Sequence, residues 1–109
     1  MHRWFMLSAV MALGVISPAH AADIAAGKTT ALFACVDCHG LTGVSRDEYF
    51  PSLAGQKELY LTMQLKAFKS GKRKNPEMNL ITKLLTATDI ANVAAYFASQ
   101  RCAPESAGK

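Results

Sequence analysis

The chain has 109 residues, of which half are hydrophobic, and a formal net charge of +4. This length fits one domain. So small a positive charge, without an aromatic platform for stacking bases, does not indicate a nucleic-acid-binding protein. The sequence contains no repeat or low-complexity tract, so a single folded domain is the expected organisation.

The N-terminal segment has the composition of a secretory signal peptide. A basic start, MHR, precedes an apolar run over residues 4–16, and the A-x-A pattern of Ala19 and Ala21 follows. The apolar run is shorter than the roughly 20 residues needed to span a bilayer. We therefore expect a signal peptide over residues 1–21, cleavage after Ala21 and a mature domain over residues 22–109. Residues 100–109 are expected to form a flexible tail.

The remaining sequence has helical periodicity and no convincing alternation of apolar and polar residues. It predicts an all-α domain with one long loop over residues 39–55, a segment rich in Gly, Ser and Pro. Helices are predicted over residues 23–34, 57–69, 78–85 and 86–99.

Two of these helices carry specific signals. Leu61, Leu65 and Phe68 share one face of the second helix, which predicts that this face packs on the core. Thr86 and Asp89 form a capping box, which predicts that the last helix starts at Thr86.

The segment CVDCH, residues 35–39, contains two thiols and an imidazole that suit three kinds of site: a zinc ion, a redox disulfide or an iron porphyrin. A structural zinc site needs four protein ligands, and only Cys102 is left to add to these three after signal cleavage. A thioredoxin-like pair normally opens a helix after a strand, and no strand is predicted. Both alternatives are therefore disfavoured.

The spacing C-x-x-C-H is the attachment signature of c-type haem. On a helical turn, residues i and i+3 point to the same side, so Cys35 and Cys38 can add to two vinyl groups of one porphyrin. His39 then turns its imidazole toward the iron as proximal ligand. A mature chain of 88 residues buries only about 60% of its unfolded surface, and a covalent haem supplements its core. We predict one covalently bound haem c.

The second axial ligand is predicted to be a methionine, because His39 is the only histidine after residue 21. Met63 falls beside the apolar face of the second helix and is interpreted as an adaptable core residue. Met78 follows KNPE, where backbone freedom allows its thioether to reach the haem, and is predicted as the distal ligand. An open or otherwise ligated iron is the competing interpretation. His/Met ligation indicates outer-sphere electron transfer rather than catalysis.

Three segments, ACVDCHG, FPSLAGQKELYLTMQLKAFKSGKRKNPEMN and LTATDIANVAAYFASQ, occur in the order found in the class I cytochromes c. The chain resembles the small bacterial periplasmic members over essentially its whole mature length. It is also similar to a single domain of the two-haem periplasmic cytochromes, although it has one C-x-x-C-H. The resemblance implies an all-α fold of about four helices wrapped around one haem, and a periplasmic location.

The resemblance also implies specific roles for the site residues. Cys35 and Cys38 would form the thioether bonds, and His39 and Met78 would be the axial ligands of the iron. The carbonyl of Pro51 would accept a hydrogen bond from His39 Nδ1, which fixes the tautomer and the basicity of the imidazole.

Gly27 is unfavourable in a helix interior by about 1 kcal/mol relative to alanine, which suggests that another backbone approaches it. The resemblance implies that the first helix crosses the last helix there, near Val93 and Tyr96. The aromatic side chain that often follows one turn after this glycine is absent, since residue 31 is alanine.

Three further residues have alternative interpretations. Tyr49 and Tyr60 either line the haem pocket or pack in the core, and core packing is the equal or better interpretation for each. Cys102 lies outside the matching segments. It is either a free surface thiol or the site of an intermolecular disulfide to a second copy or a partner subunit.

A basic run precedes Met78 and suggests either a solvated surface or a docking patch beside the haem edge. A docking patch would steer an acidic redox partner, and this steering would weaken with added salt. The run consists of Lys66, Lys69, Lys72, Arg73 and Lys74.

Together these features predict a periplasmic monohaem c-type cytochrome that carries single electrons between redox proteins and is not an enzyme. The alternative is a cytochrome subunit of a periplasmic oxidoreductase complex. A third hypothesis is a haem enzyme or gas sensor with an open distal site.

Overall fold

The computed structural model describes residue 14 and residues 21–102, so the predicted signal peptide and residues 103–109 lie almost entirely outside the described residues. Within that range there are five α-helices and no β-strand, which confirms the predicted all-α class. No helix of the described residues is both long and apolar enough to cross a membrane. The helices are α1 (Ile24–Ala34), α2 (Val36–His39), α3 (Glu58–Ser70), α4 (Pro76–Lys83) and α5 (Ala87–Ala98).

Helix α1 crosses α5 in backbone contact at Gly27. A Cβ atom at residue 27 would lie 2.0 Å from the carbonyl oxygen of Asn92 and 3.0 Å from Cβ of Tyr96. Only glycine permits so close an approach. The N–H of Asp23 donates to Asn92 Oδ1 at 2.8 Å, which ties the start of α1 to the same part of α5. The crossing predicted near Val93 and Tyr96 is thereby confirmed.

The core lies where α1, α3 and α5 meet. Leu61 and Phe68 of α3 are buried, and Leu65 packs against the same core, as the shared face of these residues predicted. The central cluster consists of Ala31, Leu61, Val93, Ala94, Tyr96 and Phe97.

The start of α5 is the predicted capping box. The N–H of Asp89 donates to Thr86 Oγ1 at 3.1 Å, and the N–H of Thr86 donates to Asp89 Oδ2 at 2.8 Å. The backbone hydrogen bond from Thr86, followed by the bond from its hydroxyl, lowers the pKa of the Asp89 carboxyl below its ordinary value. The capping box therefore satisfies two backbone donors of this helix end within four residues of sequence.

Helix α4 begins at Pro76, two residues before the predicted start. Asn75 is its N-cap, and Asn75 Oδ1 accepts the N–H of Met78 at 2.9 Å. Proline at the first helical position is pre-organised for a helix and lacks only an N–H that would be unpaired there. Met78 therefore lies in the first turn of a capped helix, and the expectation of a loosely held backbone around it is wrong.

Candidate functional site

The cysteine–histidine segment forms a separate turn after α1. The N–H of Cys35 donates to the carbonyl of Ala31 at 2.8 Å and ends α1, while the N–H of His39 donates to the carbonyl of Cys35 at 2.9 Å. Cys35 and Cys38 are thus three residues apart on one helical turn, and His39 is the next residue. This is the local geometry in which two thiols and an imidazole approach a single group.

The imidazole of His39 is buried and oriented by a backbone contact. His39 is 7% exposed, and its Nδ1 lies 2.7 Å from the carbonyl oxygen of Pro51. A carbonyl only accepts hydrogen bonds, so Nδ1 carries the proton and Nε2 keeps its lone pair. The ring of Phe50 lies edge-on to the imidazole with centroids 6.4 Å apart. The hydrogen bond predicted between His39 and Pro51 is present, and it leaves one ring nitrogen available as a ligand.

The loop between α2 and α3 brings Pro51 to the imidazole. The carbonyl of Gly43 accepts the N–H groups of Leu53 at 2.6 Å and of Ala54 at 3.0 Å, which closes the loop on itself. The N–H of Gly55 donates to the carbonyl of Phe97 at 2.9 Å and anchors the loop to the end of α5. The position of Pro51 is therefore set by the same helix that packs on α1.

The two thiols of the turn differ in their surroundings. Burial, and secondly the nearby Cys38, raise the pKa of the Cys35 thiol to about 11, while Cys38 itself is exposed. A reactive redox dithiol requires a lowered thiol pKa in an electropositive setting. The surroundings of Cys35 are therefore those of a packed side chain rather than of a redox nucleophile. In the described residues, no three His, Cys, Asp or Glu side chains are grouped so as to hold a metal ion.

The two methionines of the mature chain are placed differently. Met78 is half-buried in the first turn of α4. Met63 is 56% exposed on α3, so its interpretation as a core residue is wrong.

Residues 49–84 expose six large apolar side chains. Tyr49 is 83% and Tyr60 is 47% exposed, so core packing within the polypeptide is wrong for both. Large exposed apolar surface marks a place where another molecule or group binds, and a porphyrin is a broad, flat and mainly apolar group. The other large apolar side chains exposed in this segment are Leu59, Met63, Leu80 and Leu84.

Two members of the basic run make intramolecular contacts. Lys69 Nζ donates to the carbonyls of Thr82 at 3.4 Å, Lys83 at 3.5 Å and Leu85, at the C-terminal end of α4.

Arg73 also contacts α3. Its guanidinium donates to Gln64 Oε1 at 2.8 Å and lies 4.6 Å from the ring centroid of Phe68. Lys66, Lys72 and Lys74 are exposed and carry no side-chain contact of this kind among the described residues. The run is therefore partly a structural element of the α3–α4 region.

Cys102 follows α5 and is exposed. Its Sγ would lie 2.2 Å from a Cβ atom at residue 55, so the thiol rests against Gly55. Gln100 donates from Nε2 to the carbonyl of Tyr96 at 3.2 Å, and the chain before Cys102 is thus held on α5.

The sequence analysis did not identify two residues that contact the Met78 segment, Asn75 and Asn79. An Asn-Pro pair is a helix-start signal and predicts Asn75 as N-cap. The contacts of Asn79 run to residues up to 11 positions away in sequence, and no local pattern indicates them.

The sequence profile of the cytochrome c family matches residues 24–101 of this chain. The chain belongs to the cytochrome c family. This cytochrome is 45% identical to cytochrome c4 of Pseudomonas aeruginosa over 97 residues, which are 88% of this chain and 48% of that protein. It is 40% identical to cytochrome c-554(548) of Halomonas halodenitrificans over 83 residues, 73% of this chain and 99% of that protein. It also matches a solved structure of thiosulfate dehydrogenase from Marichromatium purpuratum with a TM-score of 0.71 and 37% identity, over 87% of this chain and 24% of that one.

Family membership establishes the fold and the cofactor. The five helices form the all-α class I cytochrome c fold, and the family binds haem c covalently. The turn with Cys35, Cys38 and His39, and the apolar surface of residues 49–84, fit such a group. The cytochrome spans about half the length of the cytochrome c4 relatives that it matches, and almost all of cytochrome c-554(548).

Proposed function

We propose that this cytochrome carries single electrons between redox proteins by outer-sphere transfer through one haem c. The observation that carries the proposal is the buried His39, whose Nδ1 is engaged by Pro51 at 2.7 Å. An imidazole held in this way presents a fixed Nε2 lone pair, which is the requirement for a permanent axial ligand. The haem iron supplies the reversible one-electron change.

Each site residue has a distinct role in this proposal. Cys35 and Cys38 would hold the haem through thioether bonds, and His39 would be the proximal ligand. The carbonyl of Pro51 keeps the imidazole in one tautomer and increases its basicity. Met78 would be the distal ligand, and its soft thioether would stabilise the reduced iron and raise the reduction potential. With His39 and Met78 both bound to the iron, no position would remain for a substrate, and the cytochrome would act as a carrier rather than as an enzyme.

Optical spectroscopy tests the ligand set. We expect the oxidised protein to show a far-red sulfur-to-iron charge-transfer band, and the reduced protein to bind carbon monoxide poorly. Met78→Ala should abolish the band and allow carbon monoxide to bind, whereas Met63→Ala should retain the band because Met63 is not proposed as a ligand. A wild-type protein without the band, or one that binds carbon monoxide readily, would point instead to a haem enzyme or sensor with an open distal site.

Export by the segment 1–21 follows from the proposed function, because c-type haem is attached outside the cytoplasm. The mature domain would comprise residues 22–109 and be located in the periplasm. Mass spectrometry of the haem protein from a periplasmic extract tests this, with an N-terminus at Ala22 as the expected result.

The exposed cations before Met78 are proposed to dock an acidic partner. Because Lys69 and Arg73 make intramolecular bonds, the docking role rests mainly on Lys66, Lys72 and Lys74. Electron-transfer rates to the partner should fall as ionic strength rises. Lys72→Glu should reduce the rate more than Lys28→Glu on α1, and equal rates for the two variants would argue against docking at this patch.

A second candidate function is a cytochrome subunit of an oxidoreductase complex. The similarity to part of a thiosulfate dehydrogenase structure favours it, because this chain matches 24% of that larger chain. A tagged cytochrome purified from its native host at low salt should retain a stoichiometric enzyme partner if this is its role. Purification as a lone protein under those conditions would favour the free carrier.

Cys102 is proposed to form an intermolecular disulfide with a second copy or a partner subunit. Its thiol is exposed in this structure. Faster migration of the native protein on a denaturing gel after addition of reductant, absent in Cys102→Ser, is the expected result. Identical mobility with and without reductant would show a free thiol.

A further inference from the structure

The helix that carries Met78 depends on α3 for its position. In the described residues, α4 packs on α3 and makes no comparably extensive contact with α1 or α5. Within α4, the hydroxyl of Thr82 donates to the carbonyl of Met78 at 2.7 Å and is fully buried. Any movement of α4 relative to α3 therefore moves Met78 relative to the rest of the fold.

The side chain of Asn79 joins the start of α4 to the end of α3. Its Nδ2 donates to the carbonyl of Phe68 at 2.8 Å and to the carbonyl of Arg73 at 2.9 Å. Its Oδ1 accepts the N–H of Asn75 at 2.8 Å. The side-chain amide thus bonds to three main-chain groups. One belongs to Phe68 in α3, and the other two belong to Arg73 and Asn75 in the α3–α4 connection.

The connection that Asn79 grips is itself fixed to α3. Gly71 adopts a positive φ of 79° at the end of the helix, and the N–H of Arg73 donates to the carbonyl of Ala67 at 3.1 Å. The guanidinium of Arg73 lies over the ring of Phe68. The carbonyl of Arg73 is therefore held in place when it accepts the hydrogen bond from Asn79. Because Asn79 directly follows Met78, the start of α4 is fixed to the end of α3.

We propose that Asn79 is a positioning residue for Met78: its amide clamps α4 to the end of α3 and thereby keeps the Met78 thioether on the haem iron. This inference rests on the proposed function, in which Met78 is the distal ligand. Without the clamp, the first turn of α4 opens as a local unit while the α1–α5 crossing stays intact.

Only an asparagine satisfies the three main-chain groups at this distance. Aspartate retains the acceptor for the Asn75 N–H but loses both donors, and alanine loses all three bonds. Glutamine has the same groups on a chain one methylene longer, which moves them past Phe68 and Arg73. The series Asn79→Gln, Asn79→Asp and Asn79→Ala should therefore weaken the clamp progressively.

The test compares Asn79→Ala and Asn79→Asp with Asn92→Ala in the haem-loaded protein. Asn92 anchors the start of α1 to α5 rather than α4 to α3, so its variant controls for general loss of stability. We expect the Asn79 variants to bind carbon monoxide about tenfold more readily in the reduced state. Two or more hydrogen bonds would no longer oppose the local opening of the first turn of α4. They should also lose the far-red band on warming before the helical circular dichroism falls. In Asn92→Ala the band and the helices should be lost together.

Two outcomes would overturn the inference. Asn79 variants with the wild-type band and wild-type carbon monoxide binding would show that the amide does not hold the thioether in place. Variants in which the band and the helices are lost together, as in Asn92→Ala, would show a merely structural residue.

Failure of the ligand assignment is distinguished by Met78→Ala, measured beside these variants. If Met78→Ala keeps the band, the proposed ligand set is wrong and Asn79 has no thioether to hold in place. Hydrogen exchange adds a measurement that does not depend on ligation. Faster exchange of α4 amides relative to α5 amides in Asn79→Ala supports the clamp, and unchanged exchange overturns it.

Discussion

The α1–α5 pair and the α3–α4 pair are held together by different physical means. Helices α1 and α5 meet at Gly27 in backbone contact, around side chains such as Val93 and Phe97 that are almost completely buried. Helices α3 and α4 are joined by the directed hydrogen bonds of Asn79 and Lys69. The second pair also exposes several large apolar side chains, such as Leu59, Met63 and Leu80.

Because of this difference, the α1–α5 pair mainly stabilises the fold, whereas the α3–α4 pair positions a residue of the candidate site. Apolar burial is strong but not directional, so the α1–α5 pair can support a small fold without fixing any single ligand atom. Hydrogen bonds contribute less but impose direction, and the α3–α4 pair uses them to present Met78. The apolar surface that this pair leaves uncovered is where the haem binds in the proposed function.

The largest expected effect is from Phe97→Ala in the α1–α5 half. Phe97 is 1% exposed, and truncating a buried phenylalanine lowers the free energy of unfolding by about 3–5 kcal/mol. Phe33→Ala is the matched control, because Phe33 is 86% exposed on α1; its effect should be within about 0.5 kcal/mol. Urea unfolding measures both, and similar losses for the two variants would contradict the proposed core.

Gly27→Ala tests the backbone crossing itself. Alanine favours a helix, but its Cβ would lie 2.0 Å from the carbonyl oxygen of Asn92, so α1 must shift away from α5. We expect a loss of about 1–3 kcal/mol or more in unfolding free energy. Ala26→Gly, one residue away, should lose only the helix-propensity difference of about 1 kcal/mol. A stabilised Gly27→Ala protein would show that the helices do not cross there.

Lys69→Met tests the second attachment of α4. Removing the ammonium deletes its hydrogen bonds to the carbonyls at the end of α4, and we expect a loss of about 1 kcal/mol in unfolding free energy because the site is partly exposed. Lys66→Met is the matched control, since no side-chain hydrogen bond of Lys66 occurs within the described residues. Hydrogen exchange of α4 should increase in Lys69→Met alone, and equal increases in both variants would assign the effect to charge rather than to the contact.

The smallest expected effect concerns pH and the α5 capping box. The Thr86 hydrogen bonds lower the pKa of Asp89 in the folded state, so the unfolded state takes up this proton more readily. The resulting stability is present above the unfolded pKa and is lost as pH falls through the folded pKa.

Urea unfolding at neutral and acidic pH measures this contribution. Wild type should lose more unfolding free energy than Asp89→Asn over that range, by less than about 1 kcal/mol because the carboxylate is near solvent. Parallel losses in the two proteins would show that Asp89 makes no linked contribution.

Local signals in the sequence predicted local structure well. The capping box of Thr86 and Asp89 was found because both partners lie within one turn. The same kind of signal, Asn75 before Pro76, marks the true start of α4, but the segment KNPE was interpreted as one with backbone freedom rather than as the start of a helix.

Long-range contacts were predicted only where a resemblance supplied them. The cost of glycine within a helix indicated a close approach at Gly27, but the partner helix and the His39–Pro51 contact were expected only from the resemblance. The carbonyl partners of Lys69 lie 13 to 16 residues away, and nothing near Lys69 in sequence distinguishes it from its solvent-exposed neighbours. The burial of Tyr49 and Tyr60 was predicted wrongly, because the sequence does not show which apolar side chains lie outside the polypeptide core.

The close approach at Gly27 joins the first and last helices of the domain, and the bond between Asp23 and Asn92 spans 69 residues. Contacts of such separation form late and slowly, because the whole intervening chain must be ordered to close them. Until residue 96 has left the ribosome, α1 therefore has no partner, and the domain can close only after its last helix has been synthesised.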